Sequence, residues 1–180
     1  MRFCISIIGK DRWGIIASVT KVLYELHGNL EDASMTILSG EFAMILLVSF
    51  KSGQIRNLLE KKLKLLEKKL KLTIMVKQIE KHAQKTSRKQ NQFLPHLISI
   101  FGKDRAGIVC QMSRLLARHR LNITDLNSKL IHGEKNIYGL LIETDIPKRF
   151  PIAKLERELN RAAKSLCVDL SIKPVEPLTL

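Results

Sequence analysis

Two kinds of hydrophobic rhythm alternate along this chain. Short apolar runs over 3–8 and 97–101, rich in Ile and Phe and closed by Gly9 and Gly102, are too brief for helices and predict strands. Each is followed by a stripe at spacings of four, three and four: Ile15, Val19, Val22 and Leu26, then Ile108, Met112, Leu115 and His119. That pattern predicts helices with one buried side. Gly28 is the expected C-cap of the first, whereas Leu121 and Asn122 follow the second. Loosely alternating segments over 30–38 and 123–131 run to Gly40 and Gly133, which read as hairpin turns, and return strands are expected over 42–50 and 136–144. Second helices are expected to start near Ser52 and Pro151. Their stripes are Ile55, Leu59, Leu63, Leu66 and Ile152, Leu155, Leu159, Ala163. Closing strands fall over 72–76 and 168–172, the latter stopped by Pro174.

The same order occurs twice because the chain repeats itself. Residues 5–15 match residues 98–108 at nine of eleven positions, and the offset of 93 persists through Leu23 with Leu116, Asn29 with Asn122, Asp32 with Asp125 and Gly40 with Gly133. A dense match at one offset signals duplication. The polar stretch 81–92 reads as a linker, which gives domains over 1–80 and 93–180. Each has the order βαββαβ. The predicted fold class is therefore α+β: two ferredoxin-like domains, each an antiparallel sheet with both helices on one face. Residues 42–48 are apolar on both sides of the strand, although a half-exposed antiparallel strand alternates. Something is expected to cover that sheet, either the other copy or a second chain; the plainer reading is a central strand with an exposed apolar side.

Charge changes the picture next. The chain carries a net +14 over 180 residues, of which +10 lies between Lys51 and Lys89, where 13 basic residues face three glutamates. A basic balance raises the prospect of an anionic partner such as nucleic acid. Lys61, Lys62, Lys64, Lys68, Lys69 and Lys71 crowd one helix, whose apolar stripe leaves them the solvated side. A soluble charged face is the plainer reading. RNA-reading domains of this fold stack bases on paired aromatics in the central strands, and here those strands offer Phe3, Phe42 and Phe50, so direct RNA reading is not favoured. Cys4, Cys110 and Cys167 form neither a disulfide framework nor a zinc spacing, lie on apolar elements as expected core thiols, and suit a cytoplasmic setting. His27 and His119 read as surface or capping residues. No signal peptide, membrane span, nucleophile–base pair or cofactor motif is read, so neither catalysis, cofactor, metal nor membrane association is expected.

The candidate chemistry sits in the duplicated turn Gly-Lys-Asp-Arg-x-Gly-Ile between first strand and first helix. Gly9 and Gly102 are expected to allow unusual dihedrals, and Gly14 and Gly107 a close backbone approach. A helix start offers unpaired amides that hold carboxylates or phosphates. Arg12 and Arg105 can clamp a carboxylate, and Asp11 and Asp104 can accept from an ammonium group. An acid, a guanidinium and free amides suit a zwitterion such as an amino acid. The bland alternative has the aspartates capping the helix and the arginines pairing with them. Trp13, the sole tryptophan, either walls the site or packs on the linker or partner domain.

With these turns, the Asn-Leu-Glu-Asp and Asn-Ile-Thr-Asp that follow the first helices, and the βαββαβ order, the chain resembles the ACT domain family. The tandem arrangement resembles the glycine cleavage system transcriptional repressor type. The resemblance implies amino-acid-binding regulatory modules that pair side by side, within a chain or as homodimers, with effector bound at the interface. Carried over by position, it implies ligand contacts from Asp11, Arg12, Gly14, Ile15, Asn29 and Asp32, and from Asp104, Arg105, Gly107, Ile108, Asn122 and Asp125. It also implies a protein partner, either a transcription regulator or an enzyme. Trp13 and Ala106 stand where the family usually has proline, which returns an amide donor at the helix start and removes rigidity. Two other readings are a nucleic-acid-binding protein using the 51–89 face, and a regulatory remnant of an enzyme such as formyltetrahydrofolate hydrolase, against which stands the lack of any catalytic segment after Leu180.

Overall fold

The computed structural model describes residues 1–51, 55–79, 92–131 and 136–175. The chain divides into two compact units, Met1–Ala83 and Gln84–Leu180. The first contains β1 (Arg2–Lys10), α1 (Ile15–Glu25), β2 (Asn29–Leu38), β3 (Glu41–Ser49), α2 (Arg56–Leu70) and β4 (Leu72–Ile79). The second contains β5 (Phe93–Gly102), α3 (Ile108–Arg118), β6 (Asn122–Ile131), β7 (Ile137–Pro147), α4 (Ile152–Leu166) and β8 (Val168–Pro174). The sheets are fully antiparallel, in the orders β2-β3-β1-β4 and β6-β7-β5-β8. This is the βαββαβ ferredoxin-like arrangement, twice. Residues 81–91 of the expected linker over 81–92, the Gly133 turn and the Ser52 helix start lie outside the described residues.

Each unit has its own core. In the first, Phe3, Ile5 and Ile7 of β1 and Phe42, Met44, Leu46 and Val48 of β3 point at Ile15, Val19 and Leu23 of α1 and at Leu59, Leu63 and Leu66 of α2. Leu23, rather than Val22, is the fully buried member of the α1 stripe, because a period of 3.6 carries the stripe round by one residue. The second core repeats this with Ile98, Ile100, Leu140 and Ile142 under Met112, Leu116, Leu155 and Leu159. The opposite side of the first sheet stays open within its unit, with Ile8, Ile45 and Met75 more than half exposed.

The glycines play roles other than those expected. Gly9 and Gly102 have no positive φ. A Cβ at Gly9 would lie 2.7 Å from Leu72 Cδ2, and at Gly102 2.8 Å from Val168 Cγ1, so both let the outer strand pack closely. Gly14 and Gly107 are the ones in the left-handed region, at φ 86° and 97°, with open space where a Cβ would stand. Gly28 is not the left-handed residue of its helix end. His27 is, at φ 55°, and Arg120 repeats it at φ 57°. The Gly28 amide donates to the Leu23 carbonyl and the His27 amide to Tyr24, a 6→1 and 5→2 pair that satisfies the last carbonyls. Gly28 itself is needed because a Cβ would lie 2.6 Å from the Phe50 ring.

Candidate functional site

In the first unit the turn after β1 is pinned to the β2–β3 hairpin by the Asp11 amide, which donates to the Gly40 carbonyl at 2.8 Å. The left-handed Gly14 then turns the chain into α1, whose first internal bond runs from the Ser18 amide to the Gly14 carbonyl. No side chain caps this helix start, nor that of α3 at Gly107. The capping reading of Asp11 and Asp104 is therefore corrected: the turn sends the chain into the helix through glycine, and the carboxylates stay outside it. Among the described residues, Asp11, Arg12, Asp104 and Arg105 also make no ion pair or side-chain hydrogen bond, which corrects the pairing reading as well.

Asp11, Arg12, Gly14 and Ile15 meet around one cavity of about 480 Å³. Met35 and Ile37, on the helix-facing side of the edge strand β2, and Phe42 also line it. The lining thus combines an acid, a guanidinium and the start of α1 with aliphatic side chains. Sequence reasoning missed Met35 and Ile37. Their signal was present: both are apolar and two apart in the segment 30–38 read as a strand. Trp13 is fully exposed and lines no part of this cavity.

The second unit differs. Its cavity near the turn, about 660 Å³, is lined by Gly102, Lys103, Asp104, Leu130, Asn136 and Ile137, without Arg105, Gly107 or Ile108. Ser128 faces Leu140 where Met35 faces Met44.

Asn29 and Asp32, and Asn122 and Asp125, are not brought to the turns within a unit. Asn29 lies opposite Ser49, which lies opposite Arg2, while the turn follows Lys10 at the other end of β1. Eight strand residues at roughly 3.4 Å each separate those levels by about 27 Å. Asp32 sits at a β-bulge, its Oδ1 accepting from the Ala33 amide. Asp125 sits at the matching bulge and accepts from Asn127 Nδ2 at 2.6 Å, and the Asn122 carbonyl accepts from the buried Thr144 hydroxyl.

The remaining polar residues sort as follows. The cysteines are not core thiols: Cys4 is half-buried on the open side of its sheet, and Cys110 and Cys167 are exposed. Apolar neighbours in sequence misled, since an 11-residue helix and a strand each leave one side to solvent. Lys62 pairs with Glu25, and Lys61, Lys64, Lys68 and Lys69 are exposed on α2. His119 ends α3 and bonds Glu158 through Nε2 at 2.9 Å. That hydrogen bond is the main cause holding the Glu158 carboxyl below its usual range, and the Lys62 ammonium does the same for Glu25. His96, buried under the second sheet, shares Nδ1 with the Leu94 carbonyl. Among the described residues no cluster of three or more His, Cys, Asp or Glu could hold a metal ion, and no helix is long and apolar enough to cross a membrane.

Two ferredoxin-like units, each turning from its first strand into an uncapped helix through a left-handed glycine, define a tandem regulatory-domain protein. The ACT domain family model matches residues 2–77 and 95–173, nearly the whole chain, and the protein belongs to the ACT domain family as a tandem member. Among curated relatives, a UPF0237 protein of Methanocaldococcus jannaschii is 44% identical over 54 residues, 30% of this chain and 60% of that protein. A UPF0237 protein of Pyrobaculum aerophilum is 33% identical over 81 residues, 44% of this chain and 87% of its own length. The glycine cleavage system transcriptional repressor of Escherichia coli is 25% identical over 169 residues, 93% of this chain and 84% of the repressor. The fold recurs in an unknown protein of Galdieria sulphuraria, TM-score 0.79 at 24% identity over 97% of this chain and 98% of that one. It recurs too in a putative glycine cleavage system transcriptional repressor, TM-score 0.70 at 20% identity over 98% of both chains.

Proposed function

We propose that this ACT regulatory protein is not an enzyme, and that it senses an amino acid at the turn between β1 and α1 and relays occupancy to a protein partner. The observation that carries the reading is the unsatisfied trio at one cavity: the Asp11 carboxylate, the Arg12 guanidinium and the uncapped start of α1. A zwitterion supplies the complement of each. Its carboxylate meets the amides and Arg12, and its ammonium meets Asp11. The cavity volume falls within the range of small-molecule sites.

Asn29 and Asp32 join such a site only across a seam. Were a second ACT unit to lay its β2 antiparallel along this one, the Asn29 end of one strand would meet the Leu38 end of the other, beside the turn. β2 is a sheet edge with every residue exposed, which suits that pairing. Ligand held at the seam would favour the paired state, and differential binding of that kind is what a switch requires. Likeness to the Escherichia coli repressor supports a transcription regulator as partner, with a metabolic enzyme as the other candidate. Three free thiols suit a cytoplasmic setting.

Thermal shift of the full chain against the twenty amino acids tests this. At roughly 100 times the dissociation constant, ligand stabilises by about 2.7 kcal/mol. Asp11→Ala and Arg12→Ala are expected to abolish the shift in a protein that stays folded, and Asp104→Ala reports whether the second turn also binds. A shift from none of the twenty would sink the reading.

A further inference from the structure

A further cavity lies away from both turns. It is a groove of about 940 Å³ on the helical side of the second unit, between α3 and α4. Arg114 and Arg118 line it from consecutive turns of α3, with Gln111 one turn earlier, and Arg161 faces them from α4. Among the described residues, none of these three guanidinium groups makes a hydrogen bond or an ion pair. The one carboxylate in the lining, Glu158, is taken by His119, whose ring stands edge-on to Phe150 at 5.6 Å. Glu158 keeps its charge beside Arg118, which leaves the lining with three guanidinium groups against one carboxylate.

The first unit keeps a cation at one of these three places, Lys21 for Arg114, and none at the other two. The helices align at offsets of 93 and 96, which puts Glu25 at the place of Arg118, Leu65 at that of Arg161 and Lys62 at that of Glu158. There, Lys62 and Glu25 form an ion pair that joins α1 to α2. In the second unit the signs are exchanged: Glu158 hydrogen-bonds His119 and meets Arg118 through charge without a hydrogen bond. Like charges at i and i+4 repel, and three guanidinium groups face a single carboxylate in this lining, an excess that points to an anion from outside.

We propose that this groove binds a small anion with two or more phosphoryl groups, clamped by Arg114, Arg118 and Arg161. The arginine fork matches phosphate oxygens in pairs. The groove is concave and of small-molecule size. Single-stranded nucleic acid would call for aromatic faces to stack bases, and neither α3 nor α4 carries an aromatic residue. An acidic helix would call for an apolar strip, whereas the apolar lining is the buried Leu115 and two alanines. The site is separate from the amino-acid turn, so the two readings stand or fall independently.

Titration calorimetry on the full chain at fixed ionic strength, with tripolyphosphate, ATP and citrate as probes, tests it. Tripolyphosphate or ATP is expected to bind at one saturable site, at least tenfold tighter than citrate. Binding of ATP at least as tight as tripolyphosphate would identify a nucleotide, and the reverse a polyphosphate. Arg118→Glu and Arg161→Leu, which install the first unit's residues, should weaken binding at least tenfold while circular dichroism stays unchanged, and the milder Arg114→Gln should do so if either variant misfolds. Exchanging Lys64 and Lys68 for glutamate should leave binding unchanged. Equal affinity for citrate, indifference to the arginine variants, or preference for oligonucleotide or poly-glutamate over tripolyphosphate would overturn the proposal.

Discussion

At the scale of single residues, the duplicated glycines separate two constraints that look alike in sequence. Gly14 and Gly107 have room for a methyl group but a left-handed backbone. Alanine there should cost about 1–2 kcal/mol through conformation alone. Gly9 and Gly102 have an ordinary backbone but no room, so alanine there overpacks by about 1–3 kcal/mol. Gly102→Ala should be the worse of those two, because the Cβ would meet the Val168 Cα at 3.0 Å, whereas at Gly9 the tightest contact is the far end of a leucine. Urea midpoints of the four variants check the ranking. Glu25 and Glu158 lie below their usual range, held there by Lys62 and His119. A carboxyl whose folded pKa is depressed adds stability above its unfolded pKa, and that stability is lost as pH falls through the folded one. Stability should therefore decline on acidification below about pH 4.5. Glu25→Gln with Glu158→Gln should flatten that decline in urea melts run between pH 3 and 6; an unchanged slope would remove the two pairs from the balance.

At the scale of elements, helix ends carry the avoidable strain. His27, Lys71, Arg120 and Cys167 all stand in the left-handed region just past their helices. Glycine is the usual occupant there, for want of a Cβ. Lys71→Gly and Arg120→Gly, both exposed, are each expected to raise stability by about 0.5–1 kcal/mol, read as a higher denaturant midpoint at constant slope. The helices themselves were legible, since stripes such as Leu59, Leu63 and Leu66 are spaced for one side of a helix. Their stops were less so. Gly28 looked like the cap, yet the turn closes one residue earlier on a histidine, because the backbone needs only one left-handed residue and the Phe50 ring had already claimed the glycine. The strand ends were read short: β5 begins at Phe93 and β4 runs to Ile79, since strand pairing continues past the apolar run that advertises it.

At the scale of the molecule, each unit holds a core drawn from its own helices and sheet. Residues 1–79 and 92–175 made separately should each give an α+β circular dichroism spectrum and melt cooperatively. Leu59→Ala in the first and Leu155→Ala in the second should each cost about 2–5 kcal/mol in its own piece. A piece that stays unfolded would show that its core is too small alone, a known hazard for domains of this size.

Duplication, strand and helix order, and the acid–arginine–glycine turn were all determined by the sequence alone, because periodicity and local turn chemistry are properties of neighbours in the chain. The tertiary structure decided what those neighbours meet. It alone brought Met35 and Ile37 to the same cavity as Arg12, separated Asn29 from the turn by a strand's length, exposed two cysteines, and left three arginines of the second unit round a groove, where the helices of the first unit are joined by an ion pair. Each of these depends on which strand lies beside which and which side of a helix faces the sheet, and those pairings join residues far apart in the chain.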